Sequence, residues 1–80
     1  MPAAVLTHRQ GQFLAFIYAH MKLHGQAPAE AEMERYFKVS PPAIHDMILR
    51  LEEKGLSART PGVARSIRLL VPADDLPRLD

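Results

Sequence analysis

The chain has 80 residues, enough for one small domain, and 48% of them are hydrophobic, which is ample for a compact core. Ten Lys and Arg against nine Asp and Glu give a net charge of +1, so the total charge alone does not indicate a nucleic-acid partner. The lack of cysteine excludes disulfides, a cysteine-ligated zinc finger and a thiol nucleophile. The longest apolar run, residues 13–19, is far short of the ~20 residues of a membrane span, and no secretory signal is evident. We expect a soluble, cytoplasmic domain.

The first predicted element is a helix over residues 7–24. Thr7 is a favourable N-cap, and Gln10 stands three positions later, which is the spacing of a capping box. Gly25 is a natural helix end. Helical spacing predicts one buried face, made by Phe13, Leu14, Ile17 and Met21, with Phe16 and Leu23 at its flank.

A second helix is predicted over about residues 29–37. Pro28 prevents the first helix from continuing, so a short extended segment is expected at residues 26–28. The second helix begins with Glu30, Glu32 and Glu34, where the helix dipole favours anions. We expect Met33, Tyr36 and Phe37 to form its buried side.

A third helix is predicted over residues 41–54. Ser40 is its N-cap, Pro41 occupies the first helical position, and Gly55 ends it. Two helices joined by so short a turn, the second firmly capped, are typical of a helix-turn-helix. Ile44, Ile48 and Leu51, with Met47 beside them, form the predicted buried stripe.

After Gly55 the pattern changes to two short strands, at residues 56–60 and 66–71, with the Pro61-Gly62 turn between them. This hairpin, which we call the wing, completes a mainly α fold with a small antiparallel hairpin (α+β), a three-helix winged helix-turn-helix. The domain is expected over residues 1–72. The polar, proline-containing residues 73–80 are expected to be a disordered tail.

Five short segments, in this order, resemble the DNA-binding domain of the LexA repressor family over residues 6–70. They are LTHRQ (6–10), HGQAP (24–28), SPPAI (40–44), LEEKGL (51–56) and ARSIRLL (64–70). The resemblance implies a winged helix that binds operator DNA with its third helix in the major groove. The chain departs from the family at Ala29, where the family often has Thr, and at Pro42, where it often has Asn. The family's self-cleaving Ser–Lys domain is not expected in these eighty residues, so regulation by self-cleavage is not carried over.

If the third helix enters the major groove, its outward side chains face base edges. Ala43 suits a thymine methyl group, Asp46 suits a cytosine amino group, and the helix N-terminus attracts phosphate. The alternative is a merely solvated helix face with Ser40 as a cap, and a carboxylate at Asp46 otherwise repels phosphates. Pro42 brings no hydrogen-bonding group, so selectivity is expected to depend on His45, Asp46 and Arg50. The predicted outward set is Ser40, Pro42, Ala43, His45, Asp46 and Arg50.

Residues 59–71 carry Arg59, Arg65 and Arg68 and no acid. A wing along the DNA backbone or minor groove would use such guanidinium groups on phosphates, and Arg65 is the favoured contact. The alternatives are that these arginines only keep the hairpin soluble, and that Arg68 pairs with a carboxylate of the third helix. Arg9 and Lys38 are weaker phosphate candidates.

The other site chemistries are less well supported by the sequence. His20 and His24 are spaced as a metal pair but lack a third ligand, so partly buried structural histidines are favoured. No nucleophile elbow or phosphate-binding glycine loop is present, so neither an enzyme nor a cofactor is predicted. The sequence favours a regulator that binds double-stranded DNA, as a monomer in solution and as a pair of copies on a palindrome. The alternative is a protein-interaction module on the same fold, helped by the apolar residues 69–71.

Overall fold

The computed structural model describes residues 6–80, and three helices precede a two-stranded antiparallel hairpin in this part of the chain. The predicted fold class is therefore confirmed. In the hairpin Ser57 lies opposite Leu69 and Ala58 opposite Arg68. The elements are α1 (His8–His24), α2 (Glu30–Phe37), α3 (Pro41–Glu53), β1 (Ser57–Ala58) and β2 (Arg68–Leu69), followed by a short 3₁₀ turn, Ala73–Asp75. No helix among residues 6–80 has the length and apolar character needed to cross a membrane.

The helix ends follow the predicted capping residues. The Thr7 hydroxyl accepts a hydrogen bond from the Gln10 N–H (3.0 Å), and the Thr7 N–H donates to Gln10 Oε1 (3.2 Å), which completes the capping box of α1. Gly25 ends α1 in the left-handed conformation (φ 72°) that glycine adopts without strain. The Ser40 side chain caps α3 by accepting from the Ala43 N–H at 3.4 Å.

Helix α2 begins without a capping side chain, because its N-cap residue is Ala29. The carboxylate of Glu32 instead reaches back and accepts the Ala29 N–H (2.8 Å). Residues 26–28 form no strand in the structure; the sheet of the described chain has two strands only. The physical reason is that Pro28 has no N–H for a ladder, while the carbonyl of Ala27 accepts from Arg65 Nη1 (3.4 Å).

The core is formed where α1, α2, α3 and the hairpin meet. The prediction for α1 is correct at Phe13, Leu14 and Ile17, but Met21 is 37% exposed and Leu23 is 79% exposed. The last turn of α1 thus lies at the edge of the core, where His20 takes the buried position. Tyr36, expected to be buried, is also largely exposed. The buried cluster is Phe13, Leu14, Ile17, Ala27, Met33, Ile44, Ile48, Leu51, Leu56 and Ile67.

The strands of the wing are shorter than predicted, because the Ser66 side chain, and not backbone pairing between strands, holds the loop together. Ser66 Oγ accepts from the Thr60 N–H (3.0 Å), and the same hydroxyl lies within hydrogen-bond distance of the Thr60 and Val63 carbonyls. Gly62 takes a left-handed conformation in the predicted turn. These contacts close residues 60–66 into a compact loop at the end of the hairpin.

Residues 73–80 lie against α1 in the structure, whereas the sequence predicts a disordered tail. The side-chain amide of Gln12 donates to the Arg78 carbonyl and accepts from the Asp80 N–H, both at 2.8 Å. Gly11 allows the close approach, since a Cβ there would lie 2.9 Å from Pro77 Cγ. Disorder of the tail in solution and the boundary at residue 72 stay predictions.

Candidate nucleic-acid interface

Helix α3 has one buried and one exposed side, as predicted. Ile44, Ile48 and Leu51 are almost completely buried. Because side chains three and four residues apart share a helix face, this stripe turns the predicted outward residues to solvent. The exposed set, which we call the α3 face, is Ser40, Pro42, Ala43, His45, Asp46 and Arg50. Leu49 is also exposed on α3, although the sequence reasoning did not select it.

The N-terminal end of α3 combines a capped helix start with a nearby cation. The Ser40 hydroxyl is engaged with the Ala43 N–H, so it already acts as a cap. Lys38 lies two residues earlier, exposed, in a left-handed backbone conformation (φ 56°) that ends α2. The free N–H groups of a helix start and a neighbouring ammonium group together favour an anion such as a phosphate.

The middle of the α3 face contains an ion pair one helical turn apart. Arg50 Nε donates to Asp46 Oδ2 (2.9 Å), and both side chains are more than half exposed. Exposed pairs at this spacing contribute only about 0.3–0.5 kcal/mol, so they exchange readily for other partners. His45 is exposed beside them. The Asp46 carboxylate, the Arg50 guanidinium and the His45 imidazole are thus accessible to a ligand that binds along the helix.

In the wing, Arg59 is bound to carboxylates of the helix-turn-helix. Its Nε donates to Glu52 Oε2 of α3 (2.7 Å), and its Nη1 lies 3.8 Å from Glu30 Oε2 of α2. The Arg59 side chain is only 24% exposed. Arg59 therefore ties the base of the wing to both helices, whereas the sequence analysis offered Arg68 as a possible partner for a carboxylate of the third helix.

Arg65, the favoured wing contact, also has a partner in the structure. Its Nη1 donates to Glu32 Oε1 of α2 (2.6 Å) and to the Ala27 carbonyl (3.4 Å). Its backbone is left-handed (φ 56°), a conformation that a non-glycine residue adopts only where other contacts hold it. Both contacts use the same nitrogen, which leaves the Nε and Nη2 donors to an outside acceptor.

The Glu32 carboxylate connects α1, α2 and the wing. His20 of α1 is buried, with Nδ1 2.9 Å from the Gln26 carbonyl and Nε2 3.1 Å from Glu32 Oε2. The Ala29 N–H, followed by His20 and Arg65, holds the pKa of the Glu32 carboxyl at about 2, below its ordinary value of 4.5, although burial opposes this. Glu32 is therefore ionised at every pH at which the domain would work. The sequence reading saw it only as an acid near a helix start, but its position three residues after Ala29 is a capping spacing.

Arg68 lies on another part of the surface. It lines a shallow groove with Tyr18, Met21 and Lys22 of α1 and with Leu69 and Val71, and no residue of α3 lines that groove. Among residues 6–80, no carboxylate oxygen lies within 4 Å of the Arg68 guanidinium. The suggested pairing of Arg68 with an acid of α3 is therefore wrong, and the Glu52 carboxylate of α3 is bound by Arg59 instead.

The remaining cation candidate, Arg9, lies over aromatic rings. Its guanidinium carbon is 5.8 Å from the centre of the Phe13 ring and 5.5 Å from that of Phe37. These two rings stack at 4.2 Å, and Phe16 and Tyr36 extend the cluster. Phe13 and Phe37 are thus packed on each other, and the Arg9 guanidinium lies over both rings.

The two histidines at metal-ligand spacing are in ring contact, with centres 4.4 Å apart. His20 is buried as predicted, but its nitrogens face Gln26 and Glu32, and His24 is exposed. Within the described range 6–80, no three side chains of metal-binding type are grouped closely enough to hold an ion.

Comparison with known proteins gives one consistent family. The family model described as the LexA DNA binding domain matches residues 3–66. A LexA repressor of Thermosipho africanus is 37% identical over 65 residues, which are 81% of this chain and 33% of that protein. LexA repressors of Petrotoga mobilis (35% over 72 residues) and Bartonella quintana (37% over 67 residues) cover 89% and 82% of this chain.

These alignments take in 35% of the Petrotoga protein and 28% of the Bartonella protein, so the chain spans about a third of the length of such relatives. The family match includes α1, α2, α3 and β1, and therefore the whole α3 face. On this evidence the chain belongs to the LexA DNA-binding domain family.

Proposed function

We propose that this domain binds double-stranded DNA in a sequence-specific manner as the DNA-binding part of a transcriptional repressor, and that it acts in the cytoplasm. The observation that carries the proposal is the α3 face: a capped helix start and a row of small, polar and charged side chains over a fully buried stripe. A helix presented in this way fits the major groove of B-DNA. Membership of a family of DNA-binding domains, rather than of catalytic ones, supports the same reading.

In the proposed complex, α3 lies in the major groove and the wing follows the backbone or the minor groove. His45, Asp46 and Arg50 read base edges, with Ala43 near a thymine methyl group. Ser40, Lys38 and the start of α3 receive a phosphate. Pro42 makes only apolar contact. Within the wing, Arg65 uses its remaining donors on phosphate, while Arg59 acts chiefly by joining the wing to the helices. Arg68 and Arg9 are the peripheral members of the proposed contact set.

Selection from a random pool of DNA duplexes tests the proposal directly. We expect enrichment of one defined motif, and we expect affinity for that motif to fall steeply with salt because phosphate contacts release counterions. A pool that stays random after selection, or an affinity that does not change with salt concentration, would contradict the proposal.

One recognition helix reads only a few base pairs, so we propose that two copies occupy an inverted repeat about one helical turn apart. The protein is expected to be a monomer at micromolar concentration. Mass measurement in solution, followed by titration of a half-site and a full palindrome, separates the steps. A stable dimer without DNA contradicts the monomer, and equal affinity per copy on both probes contradicts the pairing.

A protein-interaction module is the second candidate function. The observation in its favour is the groove of about 450 Å³ lined by Tyr18, Met21, Leu69 and Val71, which offers apolar surface. Binding to a protein partner whose affinity does not change at high salt, with no motif enriched from DNA, would favour this candidate over DNA binding.

A further inference from the structure

The Glu32 carboxylate occupies a place where a DNA-binding domain gains nothing from a negative charge. It lies between α2 and the wing, in contact with Arg65, the wing cation best placed by sequence for a phosphate. By simple electrostatics an acid here weakens DNA binding. Its three contacts, to the Ala29 N–H, to His20 and to Arg65, come from three different parts of the fold. The carboxylate therefore has a structural reason to be present.

The contact between Glu32 and Arg65 fixes where the wing lies. The loop of residues 60–66 is closed on itself by Ser66. Arg59 joins the base of the hairpin to α3 and α2. At the loop, it is Arg65 that reaches the N-terminal end of α2, through Glu32 and the Ala27 carbonyl.

We propose that Glu32 is the positioning residue of the wing: its carboxylate holds Arg65 by Nη1, so that the other guanidinium donors are presented to a DNA phosphate. This inference rests on the proposed DNA-binding function and deepens it. A guanidinium group suits the role because it has five N–H donors in a planar fork, so it serves a carboxylate and a phosphate at once. An ammonium group cannot do so with the same geometry.

Glu32→Gln distinguishes a positioning role of Glu32 from simple repulsion of DNA, because the two roles predict opposite changes in DNA affinity. Both the Ala29 N–H and Arg65 Nη1 donate to Glu32 Oε1, so glutamine keeps an acceptor for the start of α2 but loses the charge, and it holds Arg65 only by a weaker, neutral hydrogen bond. If Glu32 only repels DNA, its loss tightens binding. If it positions the wing, binding to the selected duplex weakens, on the order of tenfold, even though a negative charge has been removed.

Glu34→Gln is the matched control. Glu34 lies on the same helix, two residues away, and none of the ion pairs between the helices and the wing arginines in residues 6–80 involves its carboxylate. We expect this variant to bind DNA as tightly as the unchanged protein, or more tightly. Arg65→Lys keeps the charge and leaves α2 untouched, and it should weaken binding as Glu32→Gln does. In an Arg65→Ala background, Glu32→Gln should no longer weaken binding.

These titrations use the duplex enriched from the random pool and an unrelated duplex, with a melting curve for each variant. Weakening by Glu32→Gln on both duplexes, lost in the Arg65→Ala background, supports the positioning role. Equal or tighter binding by Glu32→Gln, or by Arg65→Lys, overturns it while leaving the DNA-binding proposal intact. Failure of the unchanged protein to enrich any motif contradicts the proposed function itself, so the two failures are distinct.

Discussion

Helix α3 and the wing both carry predicted DNA-binding side chains, but they differ in what those side chains already contact. On the α3 face, the one ion pair among the described side chains joins Asp46 and Arg50, and it is open to water. In the wing, Arg59 and Arg65 are held by carboxylates of α2 and α3. The α3 face is therefore ready to exchange water for a ligand, whereas Arg59 and Arg65 of the wing are already engaged within the fold. Positive charge in a sequence does not by itself give a cation that is available for DNA.

The largest expected effect comes from the buried side of α3. Ile48 is 2% exposed, so Ile48→Ala should lower the free energy of unfolding by about 2–5 kcal/mol, because it removes methylenes and leaves a cavity. In a domain this small, that loss approaches the whole stability. The neighbouring Leu49, 39% exposed, is the control, and Leu49→Ala should cost far less. Urea unfolding of both variants measures the difference; equal losses would mean that the stripe does not anchor the α3 face.

Much of α3 could be predicted from sequence, because the relevant signals are local. The cap at Ser40, the proline at the first helical position and the spacing of Ile44, Ile48 and Leu51 act within one helix. The Asp46–Arg50 pair is likewise four residues apart. Local spacing of this kind decides which side of a helix is buried.

The wing could not be predicted to the same depth, because its partners are distant in sequence. Arg65 and Glu32 are 33 residues apart, and the Gln12 contacts with the tail span more than 60. Such pairs form only after the chain has folded, and composition does not say which carboxylate an arginine meets. The sequence therefore singled out the arginines as a group, but it offered Arg68, and not Arg59, as a partner for a carboxylate of α3.

The next largest effect should come from the α3 face itself. His45 is exposed and is the simplest side chain to remove, because its loss breaks no ion pair. If it contacts a base edge, His45→Ala should weaken binding to the selected duplex by about 1–3 kcal/mol and relax selectivity at one position. Glu53→Gln, at the other end of α3, should leave the base preference unchanged. Repeating the selection with each variant measures the base preference directly. An identical motif from His45→Ala would mean that His45 does not contribute to base recognition.

A smaller and sequence-independent effect is expected in the wing. Arg65→Ala should weaken binding to all duplexes about equally and lower the slope of log affinity against log salt by about 1, as for the loss of one phosphate contact. Arg68→Ala should change both quantities less, because Arg68 lines the groove beside α1 rather than the side of α2. An unchanged salt slope for Arg65→Ala would mean that the wing does not contact the DNA. A larger loss for Arg68→Ala would place the DNA on the other surface.

The smallest effect concerns the pH dependence of the contact between the wing and α2. The pKa of Glu32 is lowered from 4.5 to about 2 in the folded domain, so its carboxylate stabilises the fold fully above the ordinary value. As the pH falls from 4.5 towards 2, the unfolded chain takes up this proton before the folded domain does, and the stabilisation is lost. Glu32→Gln has no such proton to bind. Its melting temperature should therefore be lower than that of the unchanged protein at neutral pH, and the gap should narrow through this acidic range. A gap that stays constant from neutral pH to about pH 2 would mean that the ionised carboxylate does not stabilise the fold through the Ala29 N–H, His20 and Arg65.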